Sequence, residues 1–261
     1  MNNNYKSFYI VTLLLCASIV GWCFYKKGHS LESPTKITTL IVGTNSEFPP
    51  FVSIEGENLV GFDIDIIKEV ARRLQKKITF KDMPFDALLP ELQLGHIHVI
   101  AAGLTPTDER AKRVFFTTPH LHSNPLVIVT LKTTSDITSV HDLTGKVVAA
   151  NEGYTGDMFI SNLPGVTVSR LSSASIGEGI LSLQTKRSDA FVTATASIKP
   201  FLTPENSTLF KVITIEGTSE SDSIAVSKQY PELFALIEKT IAQMKNDGTL
   251  ETIKQKWNLH D

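Results

Sequence analysis

The sequence predicts an α/β protein with two lobes, each built on a mostly parallel β-sheet flanked by helices. Strand-like and helix-like segments alternate from residue 38 to residue 113, an order typical of parallel sheets covered by helices. The alternation restarts at Pro125, which indicates a second lobe. A chain of 261 residues is long enough for two lobes of about 100 residues each.

The segments of the first lobe follow from their apolar spacing. Asp63 is the expected N-cap of the first helix, because apolar residues from Ile64 to Leu74 recur at helical spacing after it. Thr107 is the expected N-cap of the third helix. The predicted order is strand TTLIVGTN, helix FDIDIIKEVARRLQKK, strand KITFKDM, helix FDALLPELQLG, strand IHVIAAGL and a helix after Thr107.

The second lobe repeats this pattern, and the chain ends in helical sequence. Its predicted order is strands PLVIVTLK and KVVAAN, helix YTGDMFISNL, strand VTVSRL, helix SIGEGILSLQTKR and strand DAFVTAT. A strand SDSIAVSK and a long helical segment broken near Gly248 follow. The apolar face of that segment is predicted to be Leu233, Leu236, Ile237, Ile241 and Met244.

Residues 1–29 have the pattern of an export signal or a membrane or lipid anchor, followed by a polar linker at residues 30–37. Both cysteines, Cys16 and Cys23, lie in this apolar segment, and Cys23 could accept a lipid. Trp22 fits a bacterial lipoprotein cleavage site poorly, so cleavage, lipidation and retention stay open. The rest of the chain can form no disulfide and must be stabilised by a packed core.

Composition excludes some classes of function. The formal net charge of -2 leaves no basic excess to neutralise phosphates, so nucleic acid is not expected as a partner. No phosphate-binding glycine loop or Gly-x-Ser-x-Gly elbow is present. The pairs His96/His98 and His120/His122 could each place two rings on one strand face, but no third ligand is evident. Neither a metal nor a cofactor is therefore expected.

Arg110 is the residue that most needs an explanation. It lies in the first turn of a predicted helix, where a cation opposes the helix dipole at a cost of about 0.3–1 kcal/mol. The turn follows a buried strand, and ligands of open α/β sheets bind at that end of the strands. Arg110 could hold a ligand carboxylate through two charge-assisted hydrogen bonds. Alternatively, it could form an exposed ion pair with Asp108 or Glu109.

Two other turns offer ligand-binding groups. Gly153, Thr155 and Gly156 could present N–H and hydroxyl groups to the same ligand from the second lobe. In the loop GTNSEFPPF, Phe48 or Phe51 could contact the apolar part of a small ligand, although loop packing is the favoured reading of Phe51.

Taken together, the segments IVGTNSEFPPF, LVGFDIDI, FDALLPELQLG, AAGLTPTDERAK, DLTGKVVAA and MKNDGTLETIKQKW resemble those of a known family. The chain is similar, over about residues 38–259, to the periplasmic polar-amino-acid-binding proteins of ABC importers, which form solute-binding protein family 3. This resemblance implies a two-lobed periplasmic-binding-protein fold with two crossover hinge strands. Lobe 1 would be residues 38–123 and 221–261, and lobe 2 would be residues 124–220.

The resemblance also implies a site between the lobes. Arg110 would hold the ligand's α-carboxylate with help from the Thr105 hydroxyl, and the backbone at Ala102 and Gly103 would accept from the α-ammonium group. The remaining implied ligand-binding residues are Phe48 and Phe85 as aromatic walls, Asn45 in the first loop, and Asn151, Thr155 and Gly156 in lobe 2.

Three departures from the family pattern affect the ligand. Ala194 stands where the family usually has the aspartate that pairs with the α-ammonium group, Asn45 replaces a further aspartate, and His98 replaces an acidic residue. A buried ammonium group without a carboxylate is costly. Glu152 or Asp157 could therefore substitute for the aspartate, or the ligand lacks an α-ammonium group.

The leading interpretation is a binding protein rather than an enzyme. It would capture a glutamine-like or arginine-like amino acid in the periplasm, anchored or free, and deliver it as a monomer to a permease in the inner membrane. The alternatives are a cyclohexadienyl-dehydratase-like enzyme with Glu152 as the cleft acid, or a binder of a carboxylate without an ammonium group.

Overall fold

Two five-stranded sheets organise the chain in the computed structural model, which describes residues 37–133, 136–172 and 175–260. The strands are β1 (Thr39–Thr44), β2 (Ser53–Glu55), β3 (Asn58–Val60), β4 (Lys77–Asp82), β5 (Val99–Ile100), β6 (Phe115–Phe116), β7 (Leu121–Asn124), β8 (Leu126–Leu131), β9 (Val147–Asn151), β10 (Thr167–Leu171), β11 (Ala190–Ala194), β12 (Phe210–Thr214), β13 (Glu220–Asp222) and β14 (Ala225–Val226). The α-helices are α1 (Phe62–Arg73), α2 (Phe85–Leu94), α3 (Asp108–Arg113), α4 (Thr155–Ser161), α5 (Ile176–Gln184), α6 (Thr195–Ile198), α7 (Pro231–Asn246) and α8 (Thr249–Lys256).

Both sheets are mostly parallel, as the sequence predicts. The first has the strand order β4-β1-β5-β14-β6, with β1 parallel to β4 and β5. Strand β14 runs antiparallel to both β5 and β6. The second has the order β10-β9-β11-β8-β12, with β9 parallel to β10 and β11 and with β8 antiparallel to β11 and β12. In each sheet, four strands therefore share one direction and one is reversed.

Strands β7 and β13 form a two-stranded antiparallel ribbon at the two points where the chain passes between the sheets. Glu220 pairs with Asn124, and Asp222 pairs with Leu121. The second sheet begins directly after β7, and the chain returns to the first sheet directly after β13. We call this ribbon the hinge.

The N-terminus of α1 differs from the prediction. The N-cap is Gly61, and Asp63 lies inside the first turn. The fully buried Asp63 side chain leaves its own helix: Oδ2 accepts a hydrogen bond from the Gly103 N–H at 2.6 Å, and Oδ1 lies 3.1 Å from His120 Nε2. Asp63 was wrongly predicted as a local cap because both partners are distant in the sequence.

Other differences have simple causes. Strand β12, which was not predicted, is at an edge, and its sequence FKVIT gives a weak signal because Lys211 and Thr214 interrupt a short apolar run. The predicted strand SDSIAVSK is divided between the hinge and the first sheet. The N-cap at Thr107 is confirmed, since its side chain accepts from the Arg110 N–H, and α7 and α8 are separated at Gly248 as predicted. Leu236 is exposed, unlike the rest of its predicted face.

The predictions on residues 1–36, which include the signal or anchor, the linker, Cys16 and Cys23, lie outside the described residues. Among the helices that the structure describes, none is both long and apolar enough to cross a membrane. Within the same part of the chain, no three His, Cys, Asp or Glu side chains are grouped so that they could hold a metal ion. His98 Nδ1 instead accepts the Ile41 N–H at 3.1 Å.

Replacing Gly61 by alanine should lower the free energy of unfolding by at least about 2 kcal/mol, as measured by urea denaturation. Gly61 has φ 140° and ψ 169°, a conformation that residues with a side chain rarely adopt. An added Cβ would also lie 2.1 Å from the Phe51 carbonyl oxygen. Gly217→Ala is the control, because its φ is also positive but nothing lies within 4 Å. Equal losses for the two variants would contradict the steric argument.

Candidate functional site

A small cavity of about 20 Å³ lies where the two sheets face each other at the hinge. That volume admits about one water molecule. We call it the inner cavity. Its lining residues come from the first sheet and its loops, the second sheet and its loops, and the hinge: Phe48, Phe51, Phe85, Gly103, Thr105, Arg110, Asn124, Asn151, Tyr154, Thr155, Gly156, Val192, Thr193, Ala194, Glu220 and Asp222.

Arg110 is buried in this cavity rather than exposed beside Asp108 and Glu109. Its Nη1 donates to the Thr105 carbonyl at 2.7 Å and its Nη2 to the Gly153 carbonyl at 2.8 Å. Within the described residues, none of its hydrogen bonds reaches a carboxylate. Burial lowers the pKa of Arg110, and the charge of Glu220 acts in the opposite direction. A buried guanidinium held only by carbonyls is prepared to receive an anion.

The groups around Arg110 are positioned by tight backbone turns. Gly103 has φ 61°, and a Cβ there would lie 2.9 Å from the Phe48 ring, so the backbone approaches the aromatic wall closely. A Cβ at Gly156 would lie 2.7 Å from the Val192 carbonyl oxygen. Ala102, a predicted contact, is buried but does not line the cavity. The amide of Asn151 is directed at the Ser175 carbonyl at 3.5 Å.

Tyr154 occupies the space between the two predicted aromatic walls. Its ring stacks on Phe85 with 3.8 Å between centroids and lies 4.8 Å from the ring of Phe48. Its hydroxyl is buried and has no hydrogen-bond partner among the described residues, and burial raises its pKa. Phe51 also lines the cavity, so the favoured reading of it as loop packing was incomplete. Tyr154 was not predicted from the sequence, although it is the one large residue in the turn NEGYTGD.

Two carboxylates of the hinge, Glu220 and Asp222, also line the inner cavity. The Thr105 hydroxyl points to Glu220 Oε2 at 3.5 Å, and Thr155 donates to the same carboxylate. Asp222 Oδ2 has no hydrogen-bond partner in the described part of the chain. Burial raises the pKa of both groups, and for Asp222 the nearby carboxylates of Asp63 and Glu220 raise it further. These residues were missed because they lie at or just before the start of the predicted strand SDSIAVSK, where nothing in the sequence shows the pairing with β7 that brings them to the cavity.

The two acids that the sequence analysis offered as substitutes lie elsewhere. Asp157 accepts hydrogen bonds from the Gly153 N–H and the Ser161 hydroxyl and forms an ion pair with Arg170, so it supports the start of α4. Glu152 is exposed and borders a wider opening outside Tyr154. Neither lines the inner cavity, and the prediction that they are the nearest substitutes is wrong on geometry.

That wider opening, which we call the outer cleft, has a volume of about 380 Å³ and several acidic residues. Phe85 and Tyr154 border both the inner cavity and the outer cleft. Asn45, a predicted contact, is in the outer cleft, where its amide donates to the Met83 carbonyl at 3.0 Å. The acidic residues that line the outer cleft are Glu47, Asp82, Asp86 and Glu152.

The buried hinge acid should make stability depend on pH. Because burial and neighbouring carboxylates raise the pKa of Asp222, the folded chain keeps a proton that the unfolded chain loses above about pH 4. Its contribution to stability is therefore complete below that pH and is lost as pH rises through the raised pKa. Asp222→Asn should reduce this fall by up to about 1.4 kcal/mol per pH unit, as measured by urea denaturation from pH 4 to 9. If the free energy of unfolding changes with pH in the same way for the unaltered protein and for Asp222→Asn, this prediction is wrong.

The fold and this cleft are those of a solute receptor, and comparison with known proteins gives the family. The chain belongs to the bacterial extracellular solute-binding proteins of family 3, whose model matches residues 40–260. It is 33% identical over 236 residues to the putative ABC transporter arginine-binding protein 2 of Escherichia coli (strain K12), covering 88% of this chain and 94% of that protein.

Solved structures of the same fold agree with this. An ancestral arginine-binding protein bound to arginine superposes with a TM-score of 0.78 at 37% identity, covering 84% of this chain and 98% of that one. An ancestral amino-acid-binding protein described as a precursor of cyclohexadienyl dehydratase gives a TM-score of 0.76 at 29% identity, covering 88% of this chain and 99% of that one.

Proposed function

We propose that this protein captures a polar amino acid between its two lobes outside the cytoplasm and delivers it to an ABC permease in the membrane. The observation that carries the proposal is Arg110: it is buried in the inner cavity, and its guanidinium donates only to carbonyls among the described residues. A guanidinium can form two parallel hydrogen bonds with one carboxylate. The carboxylate of a ligand would therefore balance the positive charge of Arg110.

The contacts of Arg110 also suggest how the ligand closes the protein. Thr105 lies in the loop after β5 of the first sheet, whereas Gly153 lies in the loop after β9 of the second sheet. The Arg110 side chain therefore joins the two lobes. We take lobe 1 as residues 38–123 and 221–261 and lobe 2 as residues 124–220, moving about the hinge. A carboxylate bound at Arg110 would replace the Gly153 carbonyl as the acceptor from Arg110. It would also accept hydrogen bonds from the hydroxyls of Thr105 and Thr155.

The side chain of the ligand would extend toward the outer cleft. Phe48 and Phe85 would contact its apolar part, and the acids of the outer cleft favour a cationic or amide end over an anionic one. The relatives support this range, since they include an arginine-binding protein and an ancestral arginine-binding protein bound to glutamine. We accordingly propose an arginine-like or glutamine-like ligand and a monomeric protein.

Enzymatic activity on this fold is the second candidate, because one structural relative is a precursor of a dehydratase. The acid named for it from the sequence, Glu152, is exposed, so it lacks the desolvation that keeps a general acid protonated. Transport binding is therefore the function that the geometry favours.

The test is thermal unfolding of the purified chain with L-arginine, L-glutamine, L-histidine and prephenate in turn. A ligand at 100 times its Kd stabilises the folded state by about 2.7 kcal/mol, which corresponds to a rise in Tm of about 5–10 °C for a chain of this size. Such a shift with an amino acid supports the proposal. A shift with prephenate alone, together with product formation, would overturn it.

A further inference from the structure

The inner cavity contains more negative groups than a carboxylate-binding site needs. Glu220 is 9% exposed and Asp222 is 3% exposed, and both line the cavity together with Arg110 and the aromatic rings. We call them the hinge carboxylates. Position 194, which also lines the cavity, is an alanine, so the second sheet offers no acid there.

We propose that the hinge carboxylates form the ammonium-binding half of the site, with Glu220 as the direct acceptor of the ligand's α-ammonium group and Asp222 as the supporting charge. This inference rests on the proposed function, because it assumes that the ligand's carboxylate is bound at Arg110. It assigns the role to two residues of the hinge rather than to an acid on the second sheet.

Thr105 supplies the distance argument for Glu220. The carboxylate and ammonium groups of an α-amino acid are attached to the same carbon, so their binding groups must be close together. The Thr105 carbonyl accepts from Arg110 Nη1 at 2.7 Å, and the Thr105 hydroxyl points to Glu220 Oε2 at 3.5 Å. Thr105 thus contacts both Arg110, which would bind the carboxylate, and Glu220, which would bind the ammonium group. This closeness fits a ligand whose α-carbon carries both charged groups.

Asp222 supplies the second observation, an unpartnered polar atom. Its Oδ2 is buried without a hydrogen-bond partner among the described residues, which is costly unless a ligand or a proton satisfies it. The charged and titratable groups around it are Asp63 from α1, Glu220 beside it on the hinge, and His120, which contacts Asp63. An arriving ammonium group would offset the repulsion among these carboxylates.

Binding should therefore be coupled to proton release. Burial raises the pKa values of Glu220 and Asp222, and a bound ammonium group would lower them again by its positive charge. Arg110 lowers the pKa of Glu220, and a ligand carboxylate that neutralises Arg110 would work against proton release from Glu220. Tyr154 also borders the cavity, but burial raises the pKa of its hydroxyl, so it stays protonated. At neutral pH we therefore expect proton release on binding mainly from Asp222.

The experiment compares amino acids with their des-amino analogues by isothermal titration calorimetry. The pairs are L-arginine with 5-guanidinopentanoic acid, and L-glutamine with 5-amino-5-oxopentanoic acid. Glu220→Gln should weaken binding of the amino acid at least about 30-fold and leave binding of its analogue unchanged. Asp222→Asn should have the same selectivity with a smaller effect. Exposed Glu216→Gln is the matched control and should change neither.

Proton release gives an independent readout from the same samples. Titrations in two buffers of different ionisation enthalpy should show release with the unaltered protein and less release with Asp222→Asn. Equal losses for an amino acid and its analogue would overturn the inference, as would full affinity in both variants. If the unaltered protein binds none of these amino acids, the proposed function fails first, so the two failures can be told apart.

Discussion

Replacing Arg110 by lysine should weaken amino-acid binding at least about 100-fold. Arg110 uses two separate nitrogens to reach Thr105 and Gly153, and the same planar group would grip both oxygens of a carboxylate. Lysine keeps the charge but presents a single ammonium group, so it cannot reproduce the paired geometry. The measurement is the Kd for L-arginine and L-glutamine by calorimetry.

Arg113→Lys is the matched control for this prediction. Arg113 is in the same short helix, α3, and its Nε and Nη2 donate to the Gln93 side chain away from the cavity. This control should leave the Kd unchanged. The thermal unfolding of both variants without amino acid shows whether they remain folded. A folded Arg110→Lys variant that keeps its affinity would rule out Arg110 as the carboxylate-binding residue.

The sequence allowed a prediction of Arg110 because its signal is local. A cation in the first turn of a helix that follows a buried strand is out of place on dipole grounds, which left a ligand carboxylate and an exposed ion pair as the two interpretations. The family resemblance then favoured the ligand. Phe48, Thr155 and Gly156 were accessible for a similar reason, since each is in a loop after a predicted strand or at the start of a helix, whereas Phe85 was named only from the family resemblance. All four line the inner cavity.

The hinge carboxylates could not be found this way. Glu220 and Asp222 reach the cavity because β13 pairs with β7, almost 100 residues earlier in the chain, and because the ladder is irregular between them. Read locally, the segment SDSIAVSK is a single strand, with no sign that its polar start belongs to a separate ribbon. Asp63 fails for the same reason, since its partners His120 and Gly103 are brought to it only by the completed first sheet. Local sequence pattern therefore identifies strands and turns. Residues that reach a site only through long-range strand pairing can be found only once the fold is known.

Replacing Tyr154 by alanine should strengthen binding of L-arginine at least about tenfold, because the Tyr154 ring competes for the space that a ligand side chain needs. The ring stacks on Phe85 and contacts Phe48, and each aromatic pair stabilises this arrangement by about 0.5–1.5 kcal/mol. A ligand that extends between the same walls must displace the ring and lose those contacts. The free amino acid glycine, used as a ligand, has no side chain to place between these rings, so its affinity should change little in the Tyr154→Ala variant. The measurement is the Kd for both amino acids.

Tyr154→Phe separates the ring from its hydroxyl. Because the hydroxyl is buried without a partner among the described residues, its removal should raise the free energy of unfolding by about 1 kcal/mol. The phenylalanine ring would still fill the space, so the Kd for L-arginine should stay the same. If Tyr154→Ala instead weakens binding of L-arginine, the ring serves as a wall that contacts the ligand rather than as its competitor. The two variants together therefore decide whether the inner cavity is enlarged by movement of Tyr154 or is bounded by it.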